Sequence, residues 1–123
     1  MIEIMVVLIV ISTLAVFALP KFIITLEKSR TAEGVQFLDS LLGAQRAYFT
    51  QNNNYATTMD QLDINVNKST YFKAAPSDIV LQDNATALAQ ITRSDSSYSL
   101  TIDSDGKITC SSSTSGLCTK LGF

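Results

Sequence analysis

The sequence predicts an α+β fold: a long N-terminal α-helix whose C-terminal half packs against a small antiparallel β-sheet. Three observations carry this. Within residues 1–52 the only strong helix breaker is Pro20. Residues 25–52 hold apolar side chains at helical spacing. After residue 70 the chain divides into short alternating runs separated by turn residues, as strands do.

The first element is Met1–Leu26. From Ile4 to Leu19 there are sixteen residues without a charge, and only Ser12 and Thr13 are polar. At about 1.5 Å per residue that run reaches about 24 Å, short of a bilayer core of about 30 Å. Continued past Pro20 through Phe22, Ile23, Ile24 and Leu26 it is long enough, with Lys21 its only charge. Glu3 stands at the mouth of the run, where a carboxylate facing hydrocarbon is costly unless paired, neutralised or able to reach water. The run is too long for a usual signal-peptide core, no Ala-x-Ala site follows it and no Lys or Arg precedes it. It is expected to be part of the mature protein.

The helix is expected to continue through Thr25–Asn52, giving one helix of about fifty residues against a usual length of about twelve. Val35, Leu38, Leu42 and Phe49 fall on one face, with Phe37, Leu41, Ala44 and Tyr48 adjoining; Glu27, Lys28, Arg30, Glu33, Asp39 and Arg46 form the polar side. Gly34 and Gly43 weaken a helix by about 1 kcal/mol each, or allow close packing. Asn52-Asn53-Asn54 ends it. Residues 53–70 read as loop, with a helical turn at Thr58–Leu62 capped by Thr57 or Thr58 and a following acidic residue. Strands are expected at Tyr71–Ala74, Ile79–Gln82, Ala87–Thr92, Tyr98–Ile102 and Lys107–Cys110, with Asp103–Gly106 as a hairpin turn. The organisation is therefore an apolar segment, 1–26, and a head, 27–123, made of the helix half 27–52, the loop 53–70 and the sheet with a C-terminal loop, 71–123. Nothing before Glu27 is needed for the head's core, and a chain starting after Lys28 is expected to be a soluble monomer.

The net charge is −2 and no basic cluster occurs, so nucleic-acid binding has no electrostatic footprint. There is no His, which removes the commonest general base and metal ligand. No nucleophile–base pair or metal cluster is visible, so neither an enzyme nor a cofactor is expected. The only cysteines are Cys110 and Cys118. Joined, they close a nine-residue loop worth about 2.6 kcal/mol on the chain-entropy relation and suggest an extracytoplasmic location. The alternatives are two free thiols or a metal-site fragment, though two Cys alone make a poor zinc site. Asp103-x-Asp105-Gly106 resembles the start of a calcium loop without its later ligands, and reads as a plain turn. Asn67-Lys68-Ser69 and Asn84-Ala85-Thr86 are glycosylation sequons, a kind of triplet common by chance. Ser111, Ser112 and Ser113, with Thr114 and Ser115, read as a hydroxyl-rich loop inside the Cys pair, solvated or carrying O-glycan.

Ile2-Glu3-Ile4-Met5-Val6-Val7-Leu8-Ile9-Val10, then Leu14-Ala15-Val16 and Pro20, resembles the N-terminal segment of type IV pilins and their relatives. In that family a glutamate near the mature N-terminus precedes an apolar helix with a proline seventeen residues later, the spacing of Glu3 and Pro20 here. The likeness covers about the first 25 residues; the helix–sheet order and the Cys pair agree with it more weakly. Two departures stand out. Relatives usually begin with phenylalanine and one further residue before the segment that opens here at Met1, so the methylated N-terminus is not identified. Ser12 stands where glycine is common.

The resemblance implies a structural subunit, a major pilin, that waits in the bacterial inner membrane. A prepilin peptidase processes it and the pilus assembly machinery packs it into an extracellular helical filament of identical subunits. Glu3 then pairs with the N-terminal amine of a neighbouring subunit. The plainer reading of Glu3 is an acid complementing the helix dipole. Pro20 removes an amide donor and crowds the carbonyl four residues back, and Ser12 and Thr13 can bond back to helix carbonyls. Local unwinding between Ser12 and Pro20 is expected in a filament, less so in an isolated subunit. Adhesion, motility or DNA uptake would follow from the fibre. The alternatives are a secretion-system pseudopilin, which a calcium-bearing C-terminal loop would favour, and a single-pass membrane-anchored binding domain.

Overall fold

The computed structural model describes residues 1–66 and 69–123. Its first element is one unbroken helix, α1 (Ile2–Asn52). Asn53 ends it in a left-handed conformation, φ 58°, with its N–H donated to the Phe49 carbonyl at 2.8 Å. That is the αL stop which Asn tolerates better than most residues. None of residues 1–26 is buried, whereas Thr31, Gly34, Leu38, Leu41, Leu42 and Gln45 are. The two halves of α1 thus differ in what they touch and not in conformation. The expected apolar stripe is present, but its centre is Leu38–Leu41–Leu42. Val35 is only half-buried and Phe49 lies at its exposed edge, stacked on Tyr55 at 4.6 Å between ring centroids.

Against this stripe lies a five-stranded antiparallel sheet: β1 (Phe72–Lys73), β2 (Val80–Leu81), β3 (Ala89–Arg93), β4 (Tyr98–Ile102) and β5 (Ile108–Ser112). β4 pairs with β3 on one side and β5 on the other; β1 and β2 share the free edge of β3, pairing Phe72 with Arg93 and Val80 with Gln90. On β3 and β4 alternate residues are buried, and Ile91, Leu100 and Ile102 are sealed against α1. Burying one such side chain contributes about 1.5–3 kcal/mol, so this layer holds the head together. Ala56, Met59, Leu62, Phe72, Ile79, Leu81 and Leu88 close the core from the loops and edge strands.

Several boundaries differ from the sequence reading. The first two strands shrink to two residues each, because only those residues find partners on β3. The last strand runs on to Ser112, paired with Tyr98, so Ser111 and Ser112 belong to a strand and not to a loop. A short helix, α2 (Leu117–Leu121), follows and buries Leu121 in the core. The turn expected at Thr58–Leu62 is a 3₁₀ turn, Met59–Gln61. Its reciprocal cap comes from Gln61, whose Oε1 accepts the Thr57 and Thr58 N–H groups at 2.9 and 3.2 Å, rather than from an acid.

Of the two glycines in the head's helix only Gly34 has a packing role. A Cβ there would lie 2.6 Å from the Phe72 ring, whereas one at Gly43 meets nothing within 4 Å. Gly34 therefore sets how closely β1 approaches α1.

Candidate assembly site

The sequence-predicted assembly residues all lie on the first half of α1. Glu3 sits in the first helical turn, on an exposed helix start without a side-chain cap. The most apolar eighteen-residue window of α1 is wholly unburied, and the helix is long and apolar enough to cross a membrane. Ile2, Ile9, Leu14, Phe17, Phe22 and Ile23 each expose about 60% or more of their surface, so among the described residues nothing covers this face. Ser12 Oγ donates to the Ile9 carbonyl and Thr13 Oγ1 to the Val10 carbonyl, each at 2.8 Å. Both hydroxyls thus satisfy themselves on their own helix, as the sequence allowed. The helix stays continuous through Pro20. Lacking an N–H, Pro20 leaves the Val16 carbonyl without its usual donor.

The exposed segment joins the head at a polar cluster that sequence patterning assigned to solvent. Glu27 faces the sheet. Its Oε1 accepts Arg93 Nε at 2.6 Å and the Tyr98 hydroxyl at 3.1 Å; its Oε2 accepts Arg93 Nη2 at 3.2 Å and Arg30 Nη1 at 3.3 Å. Arg93 is 7% exposed and also donates to the Tyr71 carbonyl. Thr31 Oγ1 stands 2.9 Å from the Tyr98 hydroxyl and 2.8 Å from the Glu27 carbonyl oxygen. Burial alone would push the Glu27 carboxyl up; hydrogen bonds and charge from Arg93, with help from Tyr98 and Arg30, outweigh it and hold the group below the usual carboxylate range. The same carboxylate pushes Arg93 up. Burial raises the Tyr98 phenol, and the Glu27 charge adds to it. A boundary after Lys28 would remove Glu27 and strand the Arg93 guanidinium, so the head's packing starts at Glu27 itself.

A second polar anchor was invisible in the sequence. Gln45 is fully buried. Its Nε2 donates to the Ala56 carbonyl and its Oε1 accepts the Ala56 N–H, both at 2.8 Å. One side chain thereby satisfies both backbone groups of a buried loop residue.

At the other end of the chain Cys110 and Cys118 form a disulfide, with Cα atoms 5.7 Å apart. It ties β5 to α2 across residues 111–117. Asp103 Oδ1 accepts the N–H groups of Asp105 and Lys107 at 3.0 and 2.8 Å, the geometry of a plain turn, and Gly106 takes the positive φ of 89° that such a turn needs. Among the described residues no group of His, Cys, Asp or Glu could hold a metal ion. Asn84 lies in an exposed turn and accepts Thr86 N–H and Oγ1 at 3.0 and 2.9 Å. The other sequon asparagine, Asn67, lies outside the described residues. Ser113 is exposed beyond the end of β5.

Comparison with family models, with curated proteins and with solved structures gives no match. The chain is α+β: a long apolar N-terminal helix packed on a small antiparallel sheet, with a C-terminal disulfide. That arrangement is consistent with a pilin-like fold.

Proposed function

We propose that this chain is the structural subunit, a major pilin, of a type IV pilus filament, held in the inner membrane before assembly and extracellular afterwards. The observation that carries the reading is the division of α1: one half is covered by the sheet and the other is wholly uncovered apolar surface headed by a single carboxylate. Uncovered apolar surface on this scale needs lipid or copies of itself, since each buried methylene is worth about 0.8 kcal/mol. Lipid and a bundle of like helices are both apolar, so transfer between them need not expose the segment to water. Glu3 supplies what hydrophobicity lacks, a register. Buried in a bundle it requires a cation, and the N-terminal amine of a neighbouring copy is the group that resemblance to type IV pilins supplies. A copy out of register would strand the charge at about 3–5 kcal/mol. Assembly machinery and a prepilin peptidase are partners that follow from this reading.

The same apolar helix also supports a second reading, a single-pass anchored domain, for which Glu3 has no task. Nothing at the Asp103–Gly106 turn favours a calcium-bearing pseudopilin. Replacing Glu3 by Ala or Gln separates the first two readings. The filament reading expects a folded, membrane-inserted subunit and a loss of filaments sheared from cells; normal filament yield from Glu3→Ala would overturn the pairing role.

A further inference from the structure

The head is electrically polarised along α1. Its proximal end, next to the apolar segment, is fixed by the Glu27–Arg93 contact, and Lys73 reaches the same level by donating to Ser96 at 2.8 Å. Among the described residues the cations here are Lys28, Arg30, Lys73 and Arg93, with Lys21 about two helical turns before Lys28 on α1. Three carboxylates oppose them. Glu27 is ion-paired with Arg93 and Arg30, while Glu33, beside the Ser69 hydroxyl, and Asp95, beside the Ser97 N–H, keep their charge. With Lys21 counted, five cations face three acids, so this end is net positive. Lys21, Lys28 and Lys73 are exposed, and none forms an ion pair with a described residue.

The distal end lies at the level of Arg46, which donates to the Ser104 carbonyl, and of Asp83, which accepts the Tyr55 N–H. Among the described residues it carries Asp63 beside Ala47 and Gln51, Asp60 in the turn just before it, and Asp83, Asp103 and Asp105, against Arg46 and Lys107. None of these carboxylates forms an ion pair with a described residue. From the level of Lys28 to that of Arg46 the axial distance is about 27 Å at the usual helical rise. Screening at physiological salt acts over about 8 Å, so the two ends of one head cannot neutralise each other.

We propose that the acidic distal end of one head docks on the basic proximal end of the next, a heterologous contact between two copies of this chain. The inference rests on the filament reading. Subunits drawn from one membrane share one orientation, so their helices pack in parallel and any axial contact between heads is distal to proximal. Such a contact repeats without closing into a ring. Heads side by side at one level would set acid against acid and cation against cation. The charge pattern therefore favours an axial stagger between lateral neighbours and disfavours a flat ring of heads.

The test uses the full chain and filaments sheared from cells that produce it, counted by electron microscopy and followed on dilution at different ionic strengths. Lys28→Glu and Asp105→Lys are each expected to raise the subunit concentration needed to hold filaments together roughly fivefold, the scale of one exposed ion pair. The combined variant should recover most of that loss, and wild-type filaments should loosen as salt rises. Circular dichroism in detergent and an intact disulfide confirm that each variant is folded. Single variants with wild-type filament yield and no salt dependence would overturn the docking contact while leaving the filament reading in place. So would a loss in both singles that the combined variant does not recover. Absence of filaments from the wild-type chain at every ionic strength would overturn the filament reading, and the contact with it.

Discussion

Replacing Glu27 by Ala in a head fragment starting at Thr25 tests the junction directly. The substitution removes both side-chain acceptors of the Arg93 guanidinium and leaves it only the Tyr71 carbonyl. The Tyr98 hydroxyl also loses an acceptor, but keeps Thr31 beside it. Breaking a buried pair from one side costs about 3–5 kcal/mol. Here the Glu27 side chain retains 20% of its exposure and Arg93 9%, so water recovers part of the loss and about 2–4 kcal/mol is expected. That is a large share of the 5–15 kcal/mol typical of a whole domain. Urea unfolding followed by circular dichroism should show a lower midpoint at an unchanged slope. Glu27→Gln, which keeps an acceptor but loses the charge, should fall between wild type and Glu27→Ala. Pairing Glu27→Leu with Arg93→Met should recover most of the stability, because no charge is then stranded. A loss under about 0.5 kcal/mol for Glu27→Ala, the range of ordinary surface substitutions, would refute the claim that this pair joins helix and sheet.

Three further outcomes are expected. Because the folded Glu27 carboxyl titrates below its unfolded value, its contribution is present above the unfolded pKa, about 4.3, and is lost as pH falls through the lower folded value. Acid unfolding of the head should therefore be shallower in Glu27→Gln, and identical acid profiles would count against the junction. Gln45→Ala should destabilise the head by about 2–4 kcal/mol, since it orphans both the N–H and the carbonyl of Ala56; hydrogen exchange at the Ala56 amide should accelerate with it, and unchanged protection would sink the assignment. Alkylation without reductant should leave Cys110 and Cys118 unmodified, and reduction should cost about 2.6 kcal/mol; two alkylated thiols in unreduced protein would argue against both the bridge and an oxidising location.

Elements whose signal is periodic were legible in the sequence. The continuity of α1 could be read because Pro20 is the only strong breaker before Asn53, and β4 because Tyr98, Leu100 and Ile102 alternate with Ser99 and Thr101 over five residues. The edge strands were not, since two residues carry no period and their extent is set by where β3 offers partners. α2 left only a faint trace: Leu117 and Leu121 four apart, with Gly116 and Gly122 at positive φ on either side. The polar anchors were missed for another reason. Periodicity says which face of a helix is wet, but Glu27 and Gln45 lie where their partners are 66 and 11 residues away. The exposed apolar segment was legible from its uncharged run, whereas a role for Glu3 in assembly came only from the resemblance of residues 2–20 to type IV pilins.

One feature of α1 bears on how the head is aimed. The same helix is both the wall on which the sheet rests and the rod that projects from it, and no loop intervenes between Leu19 and Thr31. Sheet and rod therefore turn as one body, like a flag fixed to its pole. Each residue of helix advances about 100° in azimuth and about 1.5 Å in height. A single residue inserted between Pro20 and Glu27 would leave both halves chemically intact, yet swing the sheet by more than a quarter turn relative to Glu3. The spacing between the carboxylate and the junction thus fixes an angle as well as a length.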